Sequence, residues 1–338
     1  MKDQRELLCL VCPCYNEEEV IGEFYHELKA VLASIEDIDH RIIFVDDGST
    51  DSSLQRLHTL AAHDHCVQVY SLSRNFGHQI ALTAGLDVAR GDAVVMMDSD
   101  LQHPPTLIRR MIELWREGYD VVSAARQSTA DASFLKRFTS SGFYRLVNIL
   151  SDTPIAIGVA DCCLLSRRAH AALRNMPERH RFLRGMISWI GFKRAFLPYD
   201  AAPRARGKSK YTLARMLSLA FEAIFSFSVA PIKIAARIGI IIIMCGVVYL
   251  TYVVLRYLVF GDLVQGWGSL ISVTLILGGL QLAFIGLIGG YLARIFEEVK
   301  DRPLYLFKQK PRQRPRLMRN TSQANVSLSE QDKRYESS

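Results

Sequence analysis

Ile238 to Leu255 and Leu263 to Ala293 contain no charged residue, and no other feature narrows so far what this 338-residue chain can fold into. Each stretch supplies the ~20 apolar residues needed to cross a hydrocarbon core of ~30 Å. Inside such a core every backbone N–H and C=O has to be paired within the segment, so each is expected to be a membrane-spanning α-helix. The joining segment, Phe260 to Ser269, holds Asp262 and no basic residue, whereas Lys233, Arg237, Arg294, Lys300 and Arg302 flank the other ends. Cytoplasmic flanks collect Lys and Arg, so both termini are expected in the cytoplasm and the short loop outside. Arg256, near the outer end, argues mildly the other way, though its long stem can snorkel to the interface.

The spans divide the chain. Residues 1–211 are expected to form a cytoplasmic domain, 212–233 juxtamembrane amphipathic helices, 234–260 and 263–296 the two membrane helices, and 297–338 a basic cytoplasmic tail, disordered towards its end. Hydrophobic residues make up 49% of the sequence, which is ordinary, but they are concentrated after about Ile234. Basic residues cluster at Arg204–Lys210 and again at Lys308–Arg319, where six occur without an acid. No aromatic residue interleaves with that second cluster, so the net charge of +7 points to an anionic lipid surface and not to nucleic acid.

Within the first two-thirds, short apolar runs alternate with helical patterns. Strands are expected at Leu7–Pro13, Arg41–Val45, Val67–Leu72, Ala93–Met97, Tyr119–Ala125 and Ala160–Leu165. Asn16, with Glu19 three residues on, has the spacing of a capping box and predicts a helix from there to about Ile35. Further helices are expected to about His63, from Asn75-Phe76-Gly77 through Ala89, from Pro104-Pro105, over Phe134–Ile149 and from about Arg167. Strands alternating with helices at short spacing predict an α/β fold, a doubly wound and mostly parallel sheet.

Two of those runs end in carboxylates. Val45 leads into Asp46-Asp47-Gly48-Ser49-Thr50-Asp51, and Met97 into Asp98-Ser99-Asp100-Leu101-Gln102. Ligands of such sheets bind outside the carboxyl ends of the strands. In an extended chain Asp98, Asp100 and Gln102 point to one side. Two carboxylates and an amide oxygen are hard ligands suited to Mg²⁺ or Mn²⁺, in a site that leaves positions for phosphate oxygens. The alternative is an acidic loop that only caps the helix opening at Pro104-Pro105. The absence of Gly-x-x-x-x-Gly-Lys-Ser/Thr excludes a P-loop, and the lack of Gly-x-Gly-x-x-Gly after the first strand argues against a dinucleotide site.

The seven cysteines are odd in number, and Cys9, Cys12 and Cys14 crowd one expected strand. Cys9-x-x-Cys12 has no second pair to complete a zinc site, so buried thiols in a reducing compartment are expected. Met1 to Glu6 is polar and the next apolar run is too short for a secretory signal.

Four motifs occur in order: Pro13-Cys14-Tyr15-Asn16-Glu17, Val45-Asp46-Asp47-Gly48-Ser49-Thr50-Asp51, Asp98-Ser99-Asp100-Leu101-Gln102 and Arg204-x-x-Gly207-x-Ser209-Lys210-Tyr211. Together with the paired spans, over about residues 7–307, they resemble glycosyltransferase family 2. Within it the chain resembles polyprenyl-phosphate glycosyltransferases: dolichol-phosphate mannose synthases and, more closely, bacterial bactoprenol-phosphate glucosyltransferases. The resemblance implies a GT-A fold and inverting transfer from a nucleotide-diphosphate sugar to a polyprenyl phosphate at the bacterial inner membrane. It also implies a homo-oligomer, by resemblance a tetramer.

On that resemblance Pro13, Tyr15, Glu17, Asp46, Asp47 and Asp98 would hold the nucleotide. Asp98, Asp100 and Gln102 would hold the ribose, metal and diphosphate. Arg126, Arg137, Ser141 and Arg204 match phosphate-contacting positions, and Lys210 could add charge for the lipid phosphate. The implied catalytic set is Asp98, Asp100, Asp161 and Arg204, with Asp161 orienting an acceptor-side or sugar group, or only pairing with an arginine. The Pro177–Phe192 spacing looks closest to the glucosyl branch, so UDP-glucose is the expected donor. UDP-N-acetylhexosamine, a UDP-aminoarabinose derivative and GDP-mannose remain open. One departure stands out: where relatives commonly carry Phe-Arg after the aspartate, this chain has Cys162-Cys163. A processive polysaccharide synthase is disfavoured because none of Trp115, Trp189 and Trp267 follows an arginine. A non-catalytic membrane scaffold is disfavoured by the intact acidic set.

Overall fold

In the computed structural model, which describes residues 5–126, 159–199, 230–260 and 266–309, the alternation of short apolar runs becomes one eight-stranded sheet. The elements run β1 (Glu6–Cys14), α1 (Ile21–Ala33), β2 (Ile38–Asp46), α2 (Ser53–His63), β3 (Val67–Leu72), α3 (His78–Val88), β4 (Ala93–Met96), α4 (Leu107–Arg116) and β5 (Val121–Arg126). They continue with β6 (Val159–Ser166), α5 (Arg167–Arg174), α6 (Leu183–Trp189), β7 (Arg194–Tyr199), α7 (Ala230–Phe260), α8 (Trp267–Val299) and β8 (Phe307–Gln309). Strand order is β7-β5-β6-β4-β1-β2-β3-β8. β6 runs antiparallel to both β4 and β5, and β8 antiparallel to β3, while the remaining pairs are parallel.

Both faces of the sheet are covered, which is why β1 reads as a nearly unbroken apolar run. Leu8, Leu10 and Cys12 face a core shared with Phe24, Leu28, Phe44, Ile108 and Met111. Cys9 and Val11 face the opposite core, with Ile43, Val45, Leu82, Leu165 and Leu183. Gly85 lets α3 approach closely: a Cβ there would lie 2.3 Å from Val11 Cγ1 and 3.1 Å from Val45 Cγ2. Gly48, at φ 71°, takes a backbone conformation that side chains disfavour, and its missing Cβ would sit 2.5 Å from the Arg74 carbonyl carbon. That contact presses the Asp46–Asp51 loop against the segment that opens α3.

Three local features differ from the sequence expectation. α1 starts at Ile21, not after Asn16, and has no side-chain cap. Asn16 sits at φ 54° and its Oδ1 instead accepts from Thr50 N at 2.9 Å, tying the ends of β1 and β2 together. Pro104 and Pro105 precede α4, whose first helical residue is Leu107. The chain leaving α8 returns to the sheet as β8, with Leu72 opposite Phe307 and Ser71 opposite Gln309.

α7 and α8 are 31 and 33 residues long. At ~1.5 Å per residue either exceeds a ~30 Å core. Both carry large exposed apolar side chains, including Ile240, Val248, Leu258, Ile276 and Leu282. They are thus long and apolar enough to cross a membrane. The segments expected as a helix at 134–149, a basic loop at 204–210 and a surface helix at 211–229 lie outside the described residues.

Candidate active site

The loops that follow β1, β2 and β4 converge beside the start of α3 and the first residues of β6. Ser99 Oγ donates to Pro13 O at 2.8 Å, fixing the Asp98–Gln102 turn over the end of β1. Asp100 Oδ1 accepts from Gln102 N at 3.0 Å, and Leu101 between them is held at φ 60°. A bulky residue with positive φ costs free energy and persists only where the surroundings over-determine it. The turn keeps Asp100 beside Asp98, as the alternation of an extended chain predicts, and it brings in His103. Asp98, Asp100 and His103 each place a ligand atom within 4.8 Å of the others.

Asp98 lies at the centre. Its Oδ1 is 3.3 Å from His78 Nε2 and its Oδ2 is 3.6 Å from His103 Nδ1. Neither Asp98 Oδ1 nor His103 Nδ1 makes a hydrogen bond, although both atoms are buried. Burial pushes the Asp98 carboxyl above its ordinary range, and His78 and His103 pull it part of the way back. Buried polar atoms are almost always satisfied. A carboxylate oxygen and a ring nitrogen left without hydrogen bonds beside a second carboxylate are what a divalent cation would satisfy. The residues thus fit Mg²⁺ or Mn²⁺. His103 joins Asp98 and Asp100 as a candidate ligand that the sequence reading did not name.

Asp161, on β6, meets a different set. Arg184 of α6 donates to it from Nε at 2.6 Å and Nη2 at 2.8 Å. Gln79 Nε2 lies 3.4 Å from Asp161 Oδ2, and His78 Nε2 3.6 Å from it. Burial would raise this carboxyl, but His78 and Arg184 outweigh it and hold Asp161 well below the usual carboxylate range. His78 in turn is held above its ordinary value: burial lowers it, and Asp161 and Asp98 more than compensate. Gln79 also accepts from Leu183 N at 3.1 Å, joining the start of α3 to the start of α6.

The second acidic strand end is engaged internally. Asp46 accepts from Ser49 N at 3.1 Å and Ser71 Oγ at 2.9 Å. Asp47 accepts from Phe76 N at 2.7 Å and Gly77 N at 2.9 Å, at the amino end of α3. Burial raises the Asp47 carboxyl, opposed by those two N–H groups. Both carboxylates therefore brace the loops around the site, while Tyr15, just past β1, is exposed. Glu17 N is bound by Ser53 Oγ at 2.8 Å. Arg126 closes β5. Arg137, Ser141, Arg204 and Lys210 lie outside the described residues.

The Cys162-Cys163 departure has a structural counterpart. Cys163 is buried opposite Ser123, whose Oγ lies 3.6 Å from its Sγ. Arg194 of β7 reaches the same spot, donating to Ser123 Oγ at 3.2 and 3.0 Å and to Ser188 Oγ at 3.2 Å. Asp161, Cys163, Arg184 and Arg194 line one small cavity. A guanidinium thus stands near position 163, brought by a strand two places along the sheet. His78, Gln79 and Arg184 were also unassigned from sequence, although His78 and Gln79 directly follow Asn75-Phe76-Gly77 and Arg184 lies in the Pro177–Phe192 stretch.

Carboxylates, histidines and guanidinium groups are thus gathered at the carboxyl ends of the strands, where α/β sheets bind their ligands. The chain belongs to glycosyltransferase family 2, whose description "Glycosyl transferase family 2" matches residues 9–174. It is 41% identical over 300 residues to an uncharacterized glycosyltransferase, YkcC, of Bacillus subtilis, covering 89% of this chain and 93% of that one. It is 39% identical to the uncharacterized glycosyltransferase sll0501 of Synechocystis, covering 88% of this chain and 94% of the relative. A bactoprenol glucosyl transferase of an SfII prophage in Shigella flexneri is 39% identical, covering 91% and 99%. The protein is accordingly a glycosyltransferase.

Proposed function

We propose that the protein transfers a sugar, with inversion, from a nucleotide-diphosphate sugar to a polyprenyl phosphate at a bacterial membrane, with UDP-glucose as donor. The observation that carries this reading is the group of Asp98, Asp100 and His103, with two buried atoms left without hydrogen bonds at the end of β4. The chain's likeness, over 91% of its length, to a relative named as a bactoprenol glucosyl transferase supports the lipid acceptor and the glucosyl donor. α7 and α8 then serve as the two spans that keep the domain at the lipid surface, with both termini cytoplasmic.

In this reading Asp98 and Asp100 hold Mg²⁺ or Mn²⁺ together with Gln102 or His103. When bound, the metal neutralises charge that develops on the departing diphosphate. The remaining work falls to the chain. The Asp46–Asp51 loop, Pro13, Tyr15 and Glu17 receive the nucleoside. His78, at the amino end of α3, faces the region between Asp98 and Asp161, where donor phosphate and sugar would meet. His78 and Arg184 hold Asp161 well below the usual carboxylate range, which makes it a weak base, so its role here is to orient groups and not to abstract a proton. No base is required, because a phosphate monoester with a second pKa near ~6 is largely dianionic at neutral pH. It needs cations to bring it beside another anion, and Arg126, Arg137, Arg204 and Lys210, with Ser141, are proposed for that role.

The test is transfer of labelled sugar into organic-extractable lipid by the full-length protein in bilayers containing polyprenyl phosphate. Product is expected with UDP-glucose and a divalent metal, and none after chelation. Absence of product with every common nucleotide sugar would overturn the reading.

A further inference from the structure

The Pro177–Phe192 stretch contains Arg179, and the structure gives this residue no part in the site. It grips the end of α8 instead. Arg179 N donates to Glu298 Oε1 at 2.8 Å, Nε to Glu298 O at 3.3 Å and Nη2 to Asp301 Oδ1 at 2.8 Å, while Nη1 meets Arg302 O. The last carbonyls of a helix have no partner within it and carry the negative end of its dipole. A planar guanidinium with five N–H donors suits that cluster, where an ammonium would reach only part of it. Asp301, at φ 46°, turns the chain left-handed just past the helix and aims its carboxylate at Arg179. Beside it His180 Nε2 lies 2.9 Å from Glu297 Oε2.

The chain beyond Asp301 is then held within a few residues. Tyr305 Oη donates to Asp87 Oδ2 at 2.9 Å, at the carboxyl end of α3. Ser73 N donates to Leu306 O at 2.8 Å, and β8 continues the pairing along β3. The elements holding the exit of α8 also bear on the site. α3 carries Asp87 at one end and His78 and Gln79 at the other, and four residues after Arg179 begins α6, with Leu183 and Arg184.

We infer that Arg179 is a positioning residue for the membrane-borne substrate: it ties the exit of the second membrane helix to the segment that opens α6, while Tyr305 ties the same exit to α3, so that the site meets a lipid phosphate at a set orientation. This rests on the reading of the acceptor as a lipid phosphate. Without the lock the site itself stays intact, because Arg184, Gln79 and Asp161 are held by contacts that do not involve Arg179. What is lost is the orientation of the domain towards a bilayer.

The experiment compares two acceptors using full-length protein in bilayers: a long-chain polyprenyl phosphate embedded in the membrane and a short-chain, water-soluble isoprenyl phosphate. Arg179→Ala is expected to slow transfer to the embedded acceptor by about tenfold or more, since small misplacements of a reactant are costly. Transfer to the soluble acceptor and the KM for donor should stay within about twofold. Arg179→Lys should recover part of the loss, and Tyr305→Phe, which removes one hydroxyl, should shift the same ratio more weakly. Hydrogen exchange at the Ser73 amide should quicken in Arg179→Ala. Equal slowing on both acceptors, no slowing on either, or unchanged exchange at Ser73 would each overturn the inference. A wild-type protein that glycosylates neither acceptor would overturn the functional reading and this inference with it, whereas a variant-specific null overturns the inference alone.

Discussion

Arg184 holds Asp161 in a two-pronged hydrogen bond, 2.6 Å from Nε and 2.8 Å from Nη2, across the mouth of the site. Removing the guanidinium would leave a largely buried carboxylate with Gln79 and His78 as its remaining polar side-chain neighbours among the described residues. Arg184→Ala is expected to destabilise the domain by about 1–3 kcal/mol and to lower kcat more than it raises the donor KM. Arg184→Lys keeps the charge but loses the fork, so its kcat should fall between wild type and Arg184→Ala. Thermal unfolding and steady-state kinetics on the two variants test this. Equal activity in all three proteins would show that the pair only braces α6 against β6.

The acidic turn makes a second expectation measurable without turnover. Asp100→Ala removes one proposed ligand and should abolish Mn²⁺ binding as followed by calorimetry. His103→Ala should weaken it by about 10–100-fold, the cost typical of disturbing a metal ligand's support. Unchanged Mn²⁺ affinity in His103→Ala would leave Gln102 as the third protein donor.

The central strands β1, β2 and β4 are legible because they are buried on both faces over most of their length and so read as apolar runs. The run Val67–Leu72 coincides with β3 to the residue, and the acids that end β2 and follow β4 mark the edge where the site lies. What escaped depends on contacts between residues distant in sequence. The spacing of Asn16 and Glu19 suggested a helix cap, but Asn16 is bound to Thr50 in a loop that only the β1–β2 pairing brings near. His103 and His78 look unremarkable until the fold sets both against Asp98. β7 carries Pro198 and is only half-buried along most of its length, as an edge strand can be, so its pattern is weak. β8 is a three-residue strand, too short for any periodicity, and exists because β3 offers it an open edge.

Gly85 poses two opposing effects of known size. Alanine in the middle of α3 would gain about 1 kcal/mol of helix propensity over glycine. Its methyl group, however, would meet Val11 Cγ1 at 2.3 Å, and Val11 is a stiff, fully buried side chain in the central strand. Forcing an extra carbon into a packed core costs about 1–3 kcal/mol, so the clash should prevail. Gly85→Ala is expected to lower the thermal midpoint, and Gly85→Val to lower it further. A raised midpoint in Gly85→Ala would mean that α3 can move away from β1 at little cost.

Far from the site, Asp64 predicts how stability responds to acid. It accepts from Lys29 Nζ at 2.6 Å, Tyr25 Oη at 2.8 Å and Cys66 N at 2.8 Å. Burial alone would raise this carboxyl, but those donors hold it well below the usual range. The folded-state pKa is thus below that of the unfolded chain, near about 3.9, so the contribution is complete above that value. It is lost as pH falls from about 5 through the folded pKa, because the unfolded chain takes up the proton first. Asp64→Asn should cost about 1–2 kcal/mol at neutral pH and flatten the decline in stability between about pH 5 and 3. Thermal midpoints of both proteins across that range decide the matter. Parallel curves would mean that other carboxylates govern the acid limb.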